Sequence, residues 1–245
     1  MKLIIVRHAE PNYVIDSLTA KGKKEAKLLA PKMAAINKAQ CTGGNRCYYY
    51  CSPLGRAKKT ASYAMKQIDE KVEILPWLHE FKGKVLDNGI VTSCWDRLPS
   101  KWADNDIYYT PQWHQTELMK KLNVEKEYTA VCNGVDSLLE KHGYIHNGHI
   151  FEAERSNHDT LVLFCHFAVE SVILSHILNI SPMVLWHNFV ALPSSVTTLV
   201  TEEREKGIAV FRMSSYGDLG HLFASGEEPS FAARFCECFE DDTRH

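Results

Sequence analysis

The sequence predicts an α/β fold: a three-layer α/β/α sandwich with a mixed, mostly parallel central sheet and a partly helical cap insertion. Three observations carry this. Leu3, Ile4, Ile5 and Val6 form a continuous apolar run, the pattern of a strand buried on both faces and covered by helices. Residues 160–165 repeat the pattern and lead into a segment of helical periodicity. Between Glu80 and Leu161 lie about eighty residues, far more than a connection between neighbouring elements needs.

The chain of 245 residues is long enough for a large core and fits one domain, 1–245, with residues 81–159 as the inserted cap or side layer. Hydrophobic residues make up 45% and charged residues 24%, a soluble globular balance. A formal charge of -2 gives no reason to expect nucleic acid or an anionic membrane as partner. The apolar stretch 161–180 is interrupted by His166, Glu170, Ser171 and His176, too polar for a membrane span. The first apolar run meets Arg7-His8 instead of a signal cleavage site, so a cytoplasmic protein with its eight cysteines as free thiols is expected. Cys41, Cys47 and Cys51 lack the spacing of a zinc site.

Taken in order, the first strand cannot carry Arg7 into apolar packing, because desolvating an unpaired guanidinium is expensive. Arg7 and His8 therefore stand at the carboxyl edge of the sheet, where open α/β sheets bind ligands. Thr19 caps a helix over 20–30; Pro31 ends or kinks it, and a second short piece covers 33–39. Gly43-Gly44-Asn45 turns the chain into a strand at 47–51 with three successive tyrosines. Ser52-Pro53 reads as the N-cap and first residue of a helix carrying Ala57, Ala61, Ala64, Met65 and Ile68 on one face. That puts Arg56 in a first helical turn, beside free amides and positive dipole.

A short strand over 72–75 precedes Glu80. The insertion begins irregular and aromatic over 81–115, and from 116 to 142 Val124, Tyr128, Val131, Val135, Leu138 and Leu139 form a helix stripe. Strand 160–165 ends at His166, and Val169, Val172, Ile173 and Ile177 share a face of the next helix. Residues 196–200 and 208–213 pair as a hairpin. A short terminal helix over 231–239 is expected.

Arg7, His8, Arg56 and His166 thus sit at strand or helix ends, with Glu80 after another apolar segment. Two guanidinium forks can hold the oxygens of a phosphoryl group. A neutral imidazole nitrogen can attack phosphorus, and a carboxylic acid can protonate the leaving oxygen. Spacing alone leaves Glu10, Glu152 and Glu154 in competition with Glu80.

Val6-Arg7-His8-Ala9-Glu10, Leu18-Thr19-Ala20-Lys21-Gly22, Ser52-Pro53-Leu54-Gly55-Arg56-Ala57-Lys58-Lys59-Thr60-Ala61, Leu78-His79-Glu80 and the late His166 together resemble the histidine phosphatase superfamily, in its phosphoglycerate-mutase-like branch. The resemblance covers residues 1 to about 80 and 160–222. It implies His8 as the phosphorylated nucleophile, Arg7, Arg56 and His166 as the rest of a phosphate pocket, and Glu80 as proton donor. It further implies metal-independent hydrolysis of a small phosphomonoester through a phosphohistidine, with no cofactor. Two departures stand out. Phe167-Ala168 follows His166 where many relatives have glycines, and Phe81-Lys82-Gly83-Lys84 keeps little of a tryptophan-glutamate-glycine element. The second weakens a phosphoglycerate-type mutase more than a phosphatase. A non-catalytic phosphate-binding or protein-interaction module is the remaining class.

Glu10, Asn12 and Arg97 are candidate substrate-rim residues. Trp95, Trp102 and Trp113 are expected to pack the cap onto the core, and one of them lining the pocket is the alternative. His114, His142, His146, His149 and His158 have no compact ligand motif, so no metal site is expected. His221 resembles a structural position. The expected partner is a small phosphorylated metabolite, and an edge strand leaves room for a homodimer.

Overall fold

The computed structural model describes all residues except 88, 233–235, 241–242 and 244–245. In chain order, β1 (Lys2–Arg7), β2 (Pro11–Asn12) and β3 (Ser17–Leu18) precede α1 (Ala20–Gln40), β4 (Cys47–Cys51), α2 (Gly55–Ile68) and β5 (Val72–Ile74). The insertion holds β6 (Lys84–Asp87), β7 (Ile90–Ser93), several 3-10 turns, α3 (Glu117–Lys121), α4 (Val124–Lys141), β8 (Tyr144–Asn147) and β9 (Ile150–Ala153). Then come β10 (Thr160–Cys165), α5 (Phe167–Leu178), α6 (Pro182–Asn188), β11 (Val196–Glu205), β12 (Ile208–Asp218) and α7 (Gly220–Phe223).

Eight strands form one mixed sheet in the order β5-β4-β10-β1-β11-β12-β9-β8. The half from β5 to β1 is parallel, and from β11 outward every neighbour is antiparallel. Six of the eight strands point the same way, although four of the seven neighbouring pairs are antiparallel.

The continuous apolar pattern of β1 is explained by its central place. Ile4 and Val6 face α1 and α2, packing with Leu29, Met33, Ala57 and Ala61. Leu3 and Ile5 face the other layer, with Val135, Leu138, Phe167 and Val172 from α4 and α5. A period of two in side-chain direction makes both sets apolar.

Thr19 caps α1, its Oγ1 accepting from Gly22 N at 3.0 Å. Pro31 neither ends the helix nor splits off a second one: α1 runs unbroken through it. Proline removes one hydrogen bond of the ladder, and burial of Leu29, Ala30 and Met33 on either side of Pro31 holds the turn. The N-cap at Ser52 is also corrected. The helix begins at Gly55, Leu54 stands at its cap, and Ser52 Oγ is used elsewhere.

The insertion differs from a simple cap in two ways. Its helix stripe is broken at Asn123, which adopts φ 53° between α3 and α4. Its last hairpin, β8–β9, extends the central sheet by pairing with β12. Trp102, Tyr108, Trp113 and Met119 join the same apolar cluster as Leu163 and Phe167. Cys41 and Cys47 are disulfide-bonded, with Cα atoms 6.0 Å apart; this corrects the expectation of free thiols for that pair. Their separation of six residues in a turn brings the two chain ends together. Part of the expected terminal helix, at 233–235, lies outside the described residues, and the described parts of 231–239 are not helical. Among the described residues no helix is long and apolar enough to cross a membrane.

Gly55 is the tightest point between fold and site. A Cβ there would stand 2.0 Å from the backbone oxygen of Asp16, so the loop after β2 and the start of α2 touch backbone to backbone. Gly55→Ala is expected to cost about 1–3 kcal/mol by overpacking, read as a lowered denaturant midpoint, and to displace Arg56 in the next position.

Candidate active site

β1 and β10 run parallel, with Arg7 paired to Cys165, so the residues that follow them, His8 and His166, leave the sheet side by side. Their rings meet edge to face with centroids 5.0 Å apart. β4 lies on the other side of β10 and delivers Ser52 and then α2 to the same edge. Both histidines are buried.

His8 Nδ1 lies 2.8 Å from the carbonyl oxygen of Ala9. A carbonyl only accepts, so Nδ1 carries the proton and Nε2 keeps its lone pair. Arg56 Nε donates to that Nε2 at 3.3 Å. Burial, and then the neighbouring charges of Arg7 and Arg56, hold the His8 pKa well below its usual value of 6.5; the imidazole is neutral at pH 7.

Ser52 Oγ lies 2.7 Å from His166 Nε2 and accepts from Leu54 N at 3.2 Å. Leu54 N takes one lone pair of Ser52 Oγ, and the Ser52–His166 bond fixes the orientation of the imidazole, its direction following the His166 tautomer. His166 Nδ1 is buried without a hydrogen-bond partner among the described residues, a polar atom left for a ligand to satisfy. Burial, followed by His8 and the two arginines, keeps the His166 pKa well below 6.5.

Arg7 is 2% exposed. Its guanidinium donates to Ala191 O at 2.5 Å and Ala232 O at 3.4 Å and lies 5.6 Å from the Phe167 ring centroid. Arg56 is fixed from the opposite side by Asp16, whose Oδ1 is 2.8 Å from Nη1. Asp16 Oδ2 also accepts from Gly55 N at 2.5 Å, serving the amide that begins α2. The sequence offered only a polar loop residue at this position. Asp16→Asn is expected to keep the helix contact while weakening the hold on Arg56, and Asp16→Ala to lose both. The former should lower kcat/KM several-fold, and the latter about tenfold with about 1 kcal/mol less stability, compared through steady-state kinetics and denaturant unfolding.

Glu80 follows a 3-10 turn at Pro76–Leu78 and lies at the N-terminus of α5. Its Oε1 accepts from Phe81 N at 3.0 Å, Ala168 N at 3.1 Å and Val169 N at 3.3 Å. Among the described residues Oε2 has no hydrogen-bond partner, so a proton on the carboxyl resides there. Burial raises the Glu80 pKa, against the opposing pull of the Phe81 amide, the two arginines and the Val169 amide. The absence of glycines after His166 has a consequence here. Phe167 and Ala168 start α5 at once, and the amides of that first turn hold Glu80.

The competing carboxylates are elsewhere engaged. Glu10 Oε1 accepts from Thr19 Oγ1 at 2.6 Å and Oε2 from Ser230 Oγ. Glu152 is bonded to Asn147, and Glu154 is exposed. Asn12 Oδ1 accepts from Val14 N at 3.1 Å, shaping the loop. Arg97 Nη1 donates to Tyr108 at 3.0 Å and its backbone to His187; none of these bonds reaches His8.

Of the three tryptophans, Trp102 stacks on His187 and Trp113 packs against Trp186 and Tyr128. Trp95 alone approaches the site, edge to face with Phe167 at 6.3 Å. Sequence reading missed three neighbours. Tyr13 lies over Arg56 at 5.4 Å and is 60% exposed, so it stands at the mouth. Ser52 orients His166. Glu170 is buried, carries a pKa raised to about 7 mainly by burial, and feels the Arg7 charge; its place inside an apolar helix was the only signal. His221 Nε2 lies 3.0 Å from Ser194 Oγ, while Ser194 N donates to His8 O at 3.1 Å, a supporting place behind His8.

The arrangement offers a buried neutral imidazole whose Nε2 lone pair meets Arg56, two cations, an unpartnered imidazole nitrogen on His166 and a carboxyl able to hold a proton. This suits in-line transfer of a phosphoryl group. The model of the histidine phosphatase superfamily (branch 1) matches residues 3–213. No curated protein sequence is matched closely enough to count as a relative. Among solved structures, a mutant phosphoserine phosphatase from Entamoeba histolytica in complex with phosphoserine aligns at TM-score 0.56 and 17% identity, covering 90% of this chain and 98% of that one. Phosphoserine phosphatase of the same organism with 3-phosphoglyceric acid aligns at 0.55 and 19%, again with 90% and 98% covered. A mycobacterial glucosyl-3-phosphoglycerate phosphatase with vanadate aligns at 0.54 and 15%, covering 88% and 98%. At these identities the likenesses establish the fold.

Proposed function

We propose, from the premise that this chain belongs to the histidine phosphatase superfamily, branch 1, that it hydrolyses a small phosphomonoester through a phosphohistidine on His8. The observation that carries the reading is the His8 ring itself: Nδ1 bound to Ala9 O, and Nε2 bearing a lone pair toward Arg56.

In the first half-reaction His8 Nε2 attacks phosphorus, an N–P bond forms and the ester P–O bond breaks. Arg7, Arg56 and His166 Nδ1 hold the equatorial oxygens. Glu80 gives its proton to the departing alkoxide, releasing an alcohol. In the second, Glu80 takes a proton from water as that water attacks phosphorus, the N–P bond breaks, and inorganic phosphate leaves neutral His8. The arginines supply the positive charge that this chemistry requires. A small phosphorylated metabolite as substrate is supported by the phosphorylated molecules named with the aligned structures. One continuous apolar cluster supports reading residues 1–245 as one domain. The buried thiols of Cys51, Cys94, Cys132 and Cys165 support a cytoplasmic setting, and the Cys41–Cys47 disulfide weighs against it.

The test is phosphate release from a panel of metabolite phosphomonoesters, with phosphoglycerate isomerisation scored in the same reactions. Release with an acid-labile, base-stable phosphoryl group trapped on His8 is the expected result. Isomerisation with little release would make the protein a mutase. Neither activity in folded protein would leave a phosphate-binding module.

A further inference from the structure

Away from His8, three elements bring one ligand-type atom each to a common point. Asp136 on α4, His146 on β8 and His176 on α5 form a triangle. Asp136 Oδ1 is 3.0 Å from His146 Nδ1 and 2.7 Å from His176 Nε2, and the two ring nitrogens are 3.1 Å apart. Tetrahedral ligands about 2.0–2.1 Å from a zinc ion stand about 3.3 Å from one another. A point at bonding distance from all three atoms therefore exists just outside the plane of this triangle, with only small side-chain adjustments.

The surroundings suit an ion. The three side chains are partly buried, at 35%, 11% and 17% exposure for Asp136, His146 and His176, so they are held yet reachable. The His146 ring is locked by stacking on Phe151, centroids 4.5 Å apart and nearly parallel. His146 and His176 open on a cavity of about 470 Å³ that Tyr128 and His149 also line. Cys132, one helical turn before Asp136 on the same face of α4, interacts with His176 as well. Two imidazoles with one carboxylate form a ligand set for zinc-class ions. It escaped sequence reading because Asp136, His146 and His176 are separated by 10 and 30 residues in the chain.

We propose that Asp136, His146 and His176 bind a zinc-class divalent transition metal that clamps α4 and the β8–β9 hairpin to α5. The ion is structural. His176 lies ten residues beyond His166, about 15 Å along a helix rising 1.5 Å per residue, and α5 is the helix whose first amides hold Glu80. Occupancy would stiffen that support from its far end.

The test uses the full chain, stripped with a chelator and titrated with Co²⁺ and Zn²⁺. One equivalent of Co²⁺ is expected to give visible ligand-field absorption, displaced by Zn²⁺, and saturating Zn²⁺ to raise Tm. Asp136→Asn and His176→Ala, each checked for folding by circular dichroism, should weaken Co²⁺ binding at least 100-fold. His149→Ala and His8→Ala should leave it unchanged, which separates this site from the His8–His166 pair. Wild-type protein without stoichiometric Co²⁺, or folded Asp136→Asn and His176→Ala variants with undiminished affinity, would overturn the proposal and leave a triangle held by protons alone.

Discussion

His8→Ala is expected to abolish turnover, with kcat falling by at least about 10⁴-fold, while the protein stays folded and still binds inorganic phosphate. The nitrogen that would carry the phosphoryl group is removed, and the second neutral imidazole at the sheet edge, His166, has its Nε2 bound to Ser52 Oγ. Arg7, Arg56 and His166 are held by contacts outside the His8 side chain, to Ala191 O, Asp16 and Ser52. The cationic pocket should therefore survive. Phosphate release, phosphohistidine trapping and isothermal titration with phosphate separate these quantities. Substantial release by the variant would remove His8 as nucleophile.

Glu80→Gln is expected to lower kcat by about 10²–10⁴-fold, and its pH profile carries the diagnosis. For the unaltered protein, rate rises with pH as His8 loses its proton and gains a lone pair, which occurs well below 6.5 because burial and the two arginines disfavour imidazolium. Rate then falls as Glu80 loses its proton, above its ordinary carboxyl value of 4.5 because burial disfavours carboxylate. Lowering the first pKa and raising the second both widen the range in which neutral His8 and protonated Glu80 coexist. In Glu80→Gln the alkaline limb should vanish and the acidic limb remain. An aryl phosphate with a good leaving group should recover much of the first half-reaction and let phosphohistidine accumulate, since no base then activates water. An alkaline limb that persists unchanged would move the acid role elsewhere, with Glu170 beside Arg7 the next candidate.

Much of this was legible in the chain. The run from Leu3 to Val6 is apolar at every position because β1 is sandwiched between α1–α2 on one face and α4–α5 on the other. Arg7, His8 and His166 were readable because they end apolar runs, but the expectation that β1 could not carry Arg7 inward is corrected: Arg7 is buried within β1, its guanidinium matched by Ala191 O. Arg56 was readable from its position after a strand and at a helix start. The first helical residue itself was misjudged. Ser52 looks like a cap by composition, whereas in the fold its hydroxyl serves His166, a choice that depends on a neighbour 114 residues away.

What the sequence determined, then, is local: buried strands, helical faces, and the residue types left at their ends. Those follow from burial and periodicity, which act over a few residues. Tertiary structure alone decided which nitrogen of His8 carries the proton, that Asp16 would hold Arg56, that Glu80 rather than Glu10 would receive the first amides of α5, and that Asp136, His146 and His176 would converge. Each of these depends on directional hydrogen bonds between groups far apart in the chain, whose distances exist only after the layers have packed.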